Sequence, residues 1–147
     1  MAAAKALEVV GARQAASMLQ RTRRLLLGHL SERQSAAGLS RKLGLPRHRL
    51  NYHLRELERE GLAECVEERR KGNCTERLLR ATARSFVLSP EAQGSLGSTP
   101  ETTADRFSAS YLIAAASRVI RDLAAMEPKA RAAGKRLATF TVETEIR

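Results

Sequence analysis

The sequence predicts a mostly α-helical fold with one small β-hairpin, and three observations predict it. Apolar residues recur at three- and four-residue steps through much of the chain, the spacing of one helix face. Gly44 and Pro46 interrupt that spacing between two short stretches, as a stop and a start signal would. Lys71-Gly72-Asn73 then separates two extended runs, as a hairpin turn does. The chain has 147 residues, enough for one ordinary domain or a small domain with an extra helical segment. Only 3% of it is aromatic and it has no Trp, so its core must be built from Leu, Ala, Val and Ile.

From Ala4 to Leu30 most residues are good helix formers, with Leu7, Val10, Met18, Leu19, Leu25, Leu26 and Leu30 as apolar positions. Gly11 is a break, so two helices are expected, the second starting near Gln20. Ser35 can cap a short helix ending at Leu43, because its hydroxyl can accept from a free N–H of the first turn. Gly44 tolerates the positive φ that closes such a helix. Pro46 fits the first turn of the next helix, which runs to Arg59 with Leu50, Leu54 and Leu57 on one stripe and stops at Gly61. The runs Leu62–Arg70 and onward to Phe86-Val87-Leu88 form the expected hairpin. A turn centred on Lys71-Gly72 would set Cys65 opposite Leu78 and Cys74 opposite Arg69.

After residues 1–90, the Pro-, Gly-, Ser- and Thr-rich residues 91–103 read as a linker. A helix is expected from about Ala104 to Met126, kinked or ended by Pro128. Its residues Leu112, Ala116, Val119, Leu123 and Met126 form a narrow seam of the kind that packs helix on helix. Residues 104–147 are thus expected to form a dimerisation segment, the alternative being that the seam packs within the chain on the first helix of the winged domain. The segment ends in a strand from Ala138 that places Phe140, Val142 and Ile146 on one face. Such a strand would pair with the wing or with another chain, or be continued in a longer protein.

The balance of 26 Lys and Arg against 16 Asp and Glu gives a net charge of +10. Residues 1–90 hold 18 of the basic and 9 of the acidic residues, so attraction for a polyanion belongs to the first two-thirds. Two cysteines with no CxxC spacing argue against a disulfide framework or zinc module, and no metal site or cofactor is expected. The longest uncharged stretch, Phe107–Ser117, is too short to span a membrane. Lys5, Glu8 and Arg13 occupy the place of a signal peptide's apolar run, so the expectation is a cytoplasmic, nucleoid-associated protein.

Helix, helix, tight turn, helix and hairpin, in that order from Gln20 to Leu88, make a winged helix-turn-helix, whose second motif helix enters the major groove of DNA. On that helix, residues 46–60, His48, Tyr52, Arg55 and Arg59 lie opposite the Leu stripe, with Arg47 and Asn51 on a flank. Arg can bond guanine and Asn adenine bidentately, so Arg47, Asn51 and Arg55 are the expected base readers, joined by His48 and Tyr52. Arg69, Arg70 and Lys71 of the wing, residues 68–74, suit the phosphate backbone, as do Ser35 and Arg49. His53 lies beside the Leu stripe as a packing residue.

The segments Leu25–Leu30, Ser35-Ala-Ala-Gly-Leu-Ser-Arg-Lys-Leu-Gly-Leu-Pro46 and Asn51-Tyr-His-Leu-Arg-Glu-Leu-Glu-Arg-Glu-Gly-Leu62, with the basic wing, resemble the arsenic-repressor (ArsR-type) winged helix family over roughly residues 20–90. The resemblance implies a dimeric bacterial transcription regulator. The metal-sensing branch carries a Cys-x-Cys type ligand set at its DNA-reading helices, and this sequence has none. The expectation is therefore a sequence-specific binder of double-stranded DNA, a homodimeric repressor on an inverted repeat, whose small-molecule inducer the sequence does not identify. An RNA-binding winged helix and a protein-docking module are the alternatives. No HExxH, phosphate loop or Ser/His/Asp arrangement with a supporting turn is present, so an enzyme is not expected.

Overall fold

The computed structural model describes residues 4–140, apart from the side chain of Lys71. The chain forms two compact units, Met1–Gly94 and Ser95–Arg147.

The first unit opens with a strand where a helix is expected. Lys5–Val10 is β1, paired in parallel with β5, Ala83–Leu88, in a register that sets Leu7 beside Ser85 and Val10 beside Leu88. Lys5–Val10 contains good helix formers, but its adjacent β-branched residues Val9 and Val10 suit a strand, and a partner some eighty residues away decides the matter. Val10 is fully buried, and its carbonyl accepts from the Ser89 N–H at 2.8 Å. The two helices that follow are α1, Ala12–Leu19, and α2, Arg21–His29, the latter capped by the Gln20 side chain, which accepts from the Arg23 N–H.

The next pair follows the local signals closely. A two-residue strand, β2 (Gln34–Ser35), leads into α3, Ala36–Leu43. Ser35 caps α3 by accepting from the Gly38 N–H at 3.1 Å, and Gly44 closes it at φ +64. The Ser40 hydroxyl donates to the Leu45 carbonyl at 2.7 Å, which fixes the tight turn. Helix α4 spans Arg47–Arg59, with Pro46 one position earlier than expected, as its N-cap.

The hairpin consists of β3, Ala63–Lys71, and β4, Cys74–Ala81. Its turn is Gly72-Asn73, with Gly72 at φ +62 in the central position that a type II′ turn reserves for glycine. This turn, one residue later than expected, sets Cys74 opposite Lys71, and a bulge between Cys65 and Glu67 moves the register back by one beyond it, so Cys65 faces Leu79. The second extended run is not one strand. It breaks at Thr82, whose N–H donates to the Leu62 carbonyl at 3.1 Å, and β5 then joins β1 in a separate two-stranded sheet. The other sheet has the order β2-β4-β3. Leu26, Leu30, Leu39, Leu50, Leu57 and Leu62 are fully buried in the core that these helices and sheets enclose, as an aliphatic composition requires.

The expected linker contains two 3₁₀ segments, Pro90–Leu96 and Pro100–Thr102, the first broken at Gly94. Helix α5 runs from Ala109 to Ala132, later at both ends than expected. Ser108 caps its start by accepting from the Tyr111 N–H at 3.2 Å. Pro128 lies inside it on the exposed side, where the carbonyl it leaves unpaired can be hydrated. Ala138, Thr139 and Phe140 are not in a strand, and the rest of the expected terminal strand, with Val142 and Ile146, lies outside the described residues. Among the described residues no helix is long and apolar enough to cross a membrane.

Candidate nucleic-acid interface

Helix α4 sorts its side chains by position. Leu50, Leu54 and Leu57 face the core, while Arg47, His48, Arg49, Asn51, Tyr52 and Arg55 are exposed. The three glutamates follow in the last turns and at the C-cap, and each has a basic partner. Glu56 accepts from Arg23 of α2 at 3.3 Å and from Arg59 at 2.6 Å. Glu58 accepts from Arg77 of β4, and Glu60 lies 2.7 Å from Arg13. Arg47, Arg49 and Arg55 make no ion pair among the described residues. Arg47, Arg49 and Arg55 thus carry uncompensated positive charge, whereas the glutamates of the last turns and the C-cap are balanced by basic partners.

Arg47, Asn51 and Arg55 line one cleft together with Ser35, Ala36 and Ala37 and with Thr75, Glu76 and Arg77 of β4. The structure thus brings the three expected base readers together. Tyr52 is 57% exposed, and its ring meets that of His53 edge-on at 5.2 Å between centroids. Arg49 lies toward the other flank, where its charge is felt at His53. His53 is buried, 8% exposed, beside the Leu stripe, and its Nδ1 has no hydrogen-bond partner among the described residues. Burial holds its pKa below the ordinary 6.5, and the neighbouring Arg23 and Arg49 guanidiniums add to the shift against a smaller opposing effect of Glu56.

Ser35 lines the same cleft. It is buried, its oxygen accepts from Gly38, and its proton goes to Glu76 at 2.6 Å, so the hydroxyl is engaged inside the fold. At the hairpin, Arg69 is paired with Glu67, whose carboxyl this hydrogen bond holds below the usual carboxylate range. Arg33 also reaches Glu67, at 3.0 Å. Arg70 is exposed, opposite Thr75, and has no ion pair among the described residues. Lys71 ends β3 opposite Cys74, and its side chain lies outside the described residues. Arg41 and Lys42, exposed in the last turn of α3, add two cations that the sequence displays beside the turn and that the motif reading passed over. Thr75 and Arg77 carry no comparable sequence signal, because only the docking of the hairpin brings them to α4.

In the second unit the α5 seam is largely open: Leu112 is 71% and Val119 55% exposed, Ala116 and Met126 are exposed, and Leu123 is half-buried. Both cysteines are free. Among the described residues no three His, Cys, Asp or Glu side chains gather as a metal site would.

Residues 18–66 match the helix-turn-helix domain family, a span that runs from the end of α1 to the bulge in β3. The chain carries a helix-turn-helix domain, and the matched span contains α2, α3 and α4. No curated protein matches the chain.

Proposed function

We propose that this chain is a winged helix-turn-helix regulator of the ArsR type that binds double-stranded DNA, with α4 in the major groove and the β3–β4 hairpin as the wing. The observation that carries this reading is the charge sorting on α4. Its glutamates are neutralised from within the fold, while Arg47, Asn51 and Arg55 line one cleft with both arginines uncompensated. A helix that only needed a solvated face would not require that separation, whereas a groove-bound helix does, because an unpaired carboxylate near phosphates is repelled. Arg47, Asn51 and Arg55 read base edges, with His48 and Tyr52 beside them, and Arg49, Arg70 and Lys71 contact phosphates. Arg69 joins them on exchanging Glu67 for a phosphate. The protein acts as a homodimeric repressor on an inverted repeat, joined through the exposed α5 seam, in the bacterial cytoplasm, and it binds without catalysing a reaction.

Selection of bound duplexes from a random pool tests this directly. The expected result is one consensus of two inverted half-sites about one helical turn apart, ~34 Å. A pool that remains random, or tighter retention on RNA of equal length, overturns the reading in favour of a docking module or an RNA binder.

A further inference from the structure

Arg77 joins three elements with one side chain. From β4 its guanidinium donates twice to Glu58 of α4, at 2.7 and 3.0 Å, and once to Glu68 of β3, at 3.2 Å. This is the planar two-pronged pairing that lysine cannot reproduce. The preceding residue, Glu76, accepts from the hydroxyl of Ser35, the cap of α3. Two neighbouring side chains thus tie the hairpin to both motif helices.

The tie falls where the hairpin needs it. Strand β2 pairs with β4 only at Leu78 and Leu79, so Arg77 is the first residue of β4 beyond that support. From there to the turn the hairpin is a two-stranded ribbon, which on its own is marginally stable in water and free to twist. That outer ribbon carries Arg69, Arg70 and Lys71.

We propose that Arg77 is a positioning residue: its pairing with Glu58 holds the outer hairpin at a set angle to α4, so that the tip cations meet the backbone while α4 lies in the groove. The inference rests on the DNA-binding reading above. Three of the five guanidinium donors of Arg77 are directed at carboxylates, so Arg77 acts through the hairpin and not on a phosphate.

The test measures the salt dependence of binding to the selected duplex for the parent, Arg70→Ala, Arg77→Gln, Glu58→Gln, and each of the last two combined with Arg70→Ala. In the parent, Arg70→Ala makes the log–log salt slope shallower by roughly one unit per lost contact. In the Arg77→Gln and Glu58→Gln backgrounds it should change the slope by less than half as much, because the tip is no longer held on the backbone. Full additivity overturns the proposal. So does tighter binding by Glu58→Gln, which would mean that a freed Arg77 contacts phosphate itself. Glu58→Gln carries the test alone if Arg77→Gln does not fold.

A second measurement is independent of DNA. Nitroxides on the exposed Cys74 and on His48→Cys, in a Cys65→Ser background diluted with unlabelled protein, report the distance from hairpin tip to α4. The parent should show one narrow distribution, and Arg77→Gln and Glu58→Gln should broaden it. An unchanged width overturns the positioning role even if DNA binding holds, and broadening without DNA binding retains the tie while removing the function assigned to it.

Discussion

Leu50→Ala is the sharpest test of how the core supports α4. Leu50 is fully buried in the first half of the helix that bears the proposed base readers, in one cluster with Leu26, Leu39, Leu54 and Leu57. The substitution removes three buried carbons, worth about 2.4 kcal/mol at ~0.8 kcal/mol each. The cavity left behind adds to this, for a total of roughly 3–4 kcal/mol, within the range of ~2–5 kcal/mol for such truncations. Alanine is a slightly better helix former than leucine, so local propensity adds nothing to the deficit. For a unit of this size each kcal/mol lowers Tm by about 4–8 °C, so the midpoint should fall by roughly 12 °C or more. Urea and thermal unfolding followed by far-ultraviolet circular dichroism measure both quantities. Leu19→Ala, at a position 66% exposed in α1, is the control and should stay within about 0.5 kcal/mol of the parent. A loss below about 1 kcal/mol for Leu50→Ala would refute the packing described for α4.

Three further outcomes follow from the same geometry. Arg55→Ala should weaken cognate DNA by ~1–3 kcal/mol and relax the preference at one base position, and an equal loss on every sequence would move Arg55 to the phosphate contacts. His53 has a folded pKa below 6.5, so the unfolded chain takes up the proton first as the pH falls. Its contribution to stability is complete above the unfolded value and is lost progressively as the pH drops below 6.5 toward the folded pKa. His53→Gln should flatten that part of the stability profile, and an unchanged profile between about pH 5 and 7 would show that His53 takes up its proton freely in the fold. Val119→Glu with Leu123→Glu should abolish a dimer in sedimentation and weaken operator binding, since charge enters the seam; an intact dimer with full affinity places the interface elsewhere.

The motif helices were legible because their signals are local. Ser35, Gly44 and Pro46 act on the backbone within a turn of themselves, and the Leu50, Leu54 and Leu57 stripe needs only a helical period to be seen. The exposed face proposed to read bases was legible for the same reason, since it is the complement of that stripe.

Elsewhere the chain's local preferences leave more than one solution open, and contacts between distant residues select among them. Lys5–Val10 contains good helix formers and becomes a strand because β5 offers a ladder. The bulge at residue 66 sets Cys65 against Leu79 where an unbroken ladder from the turn would set it against Arg80, a shift that alternation along a single strand does not encode. The cap role of Ser35 was legible, but the partner of its hydroxyl proton, Glu76, comes from 41 residues away. The net charge of +10 is a property of the composition alone. Which of those charges remain uncompensated was decided by tertiary structure, because an ion pair such as Arg77–Glu58 depends on distance in space, and separation along the chain does not set that distance.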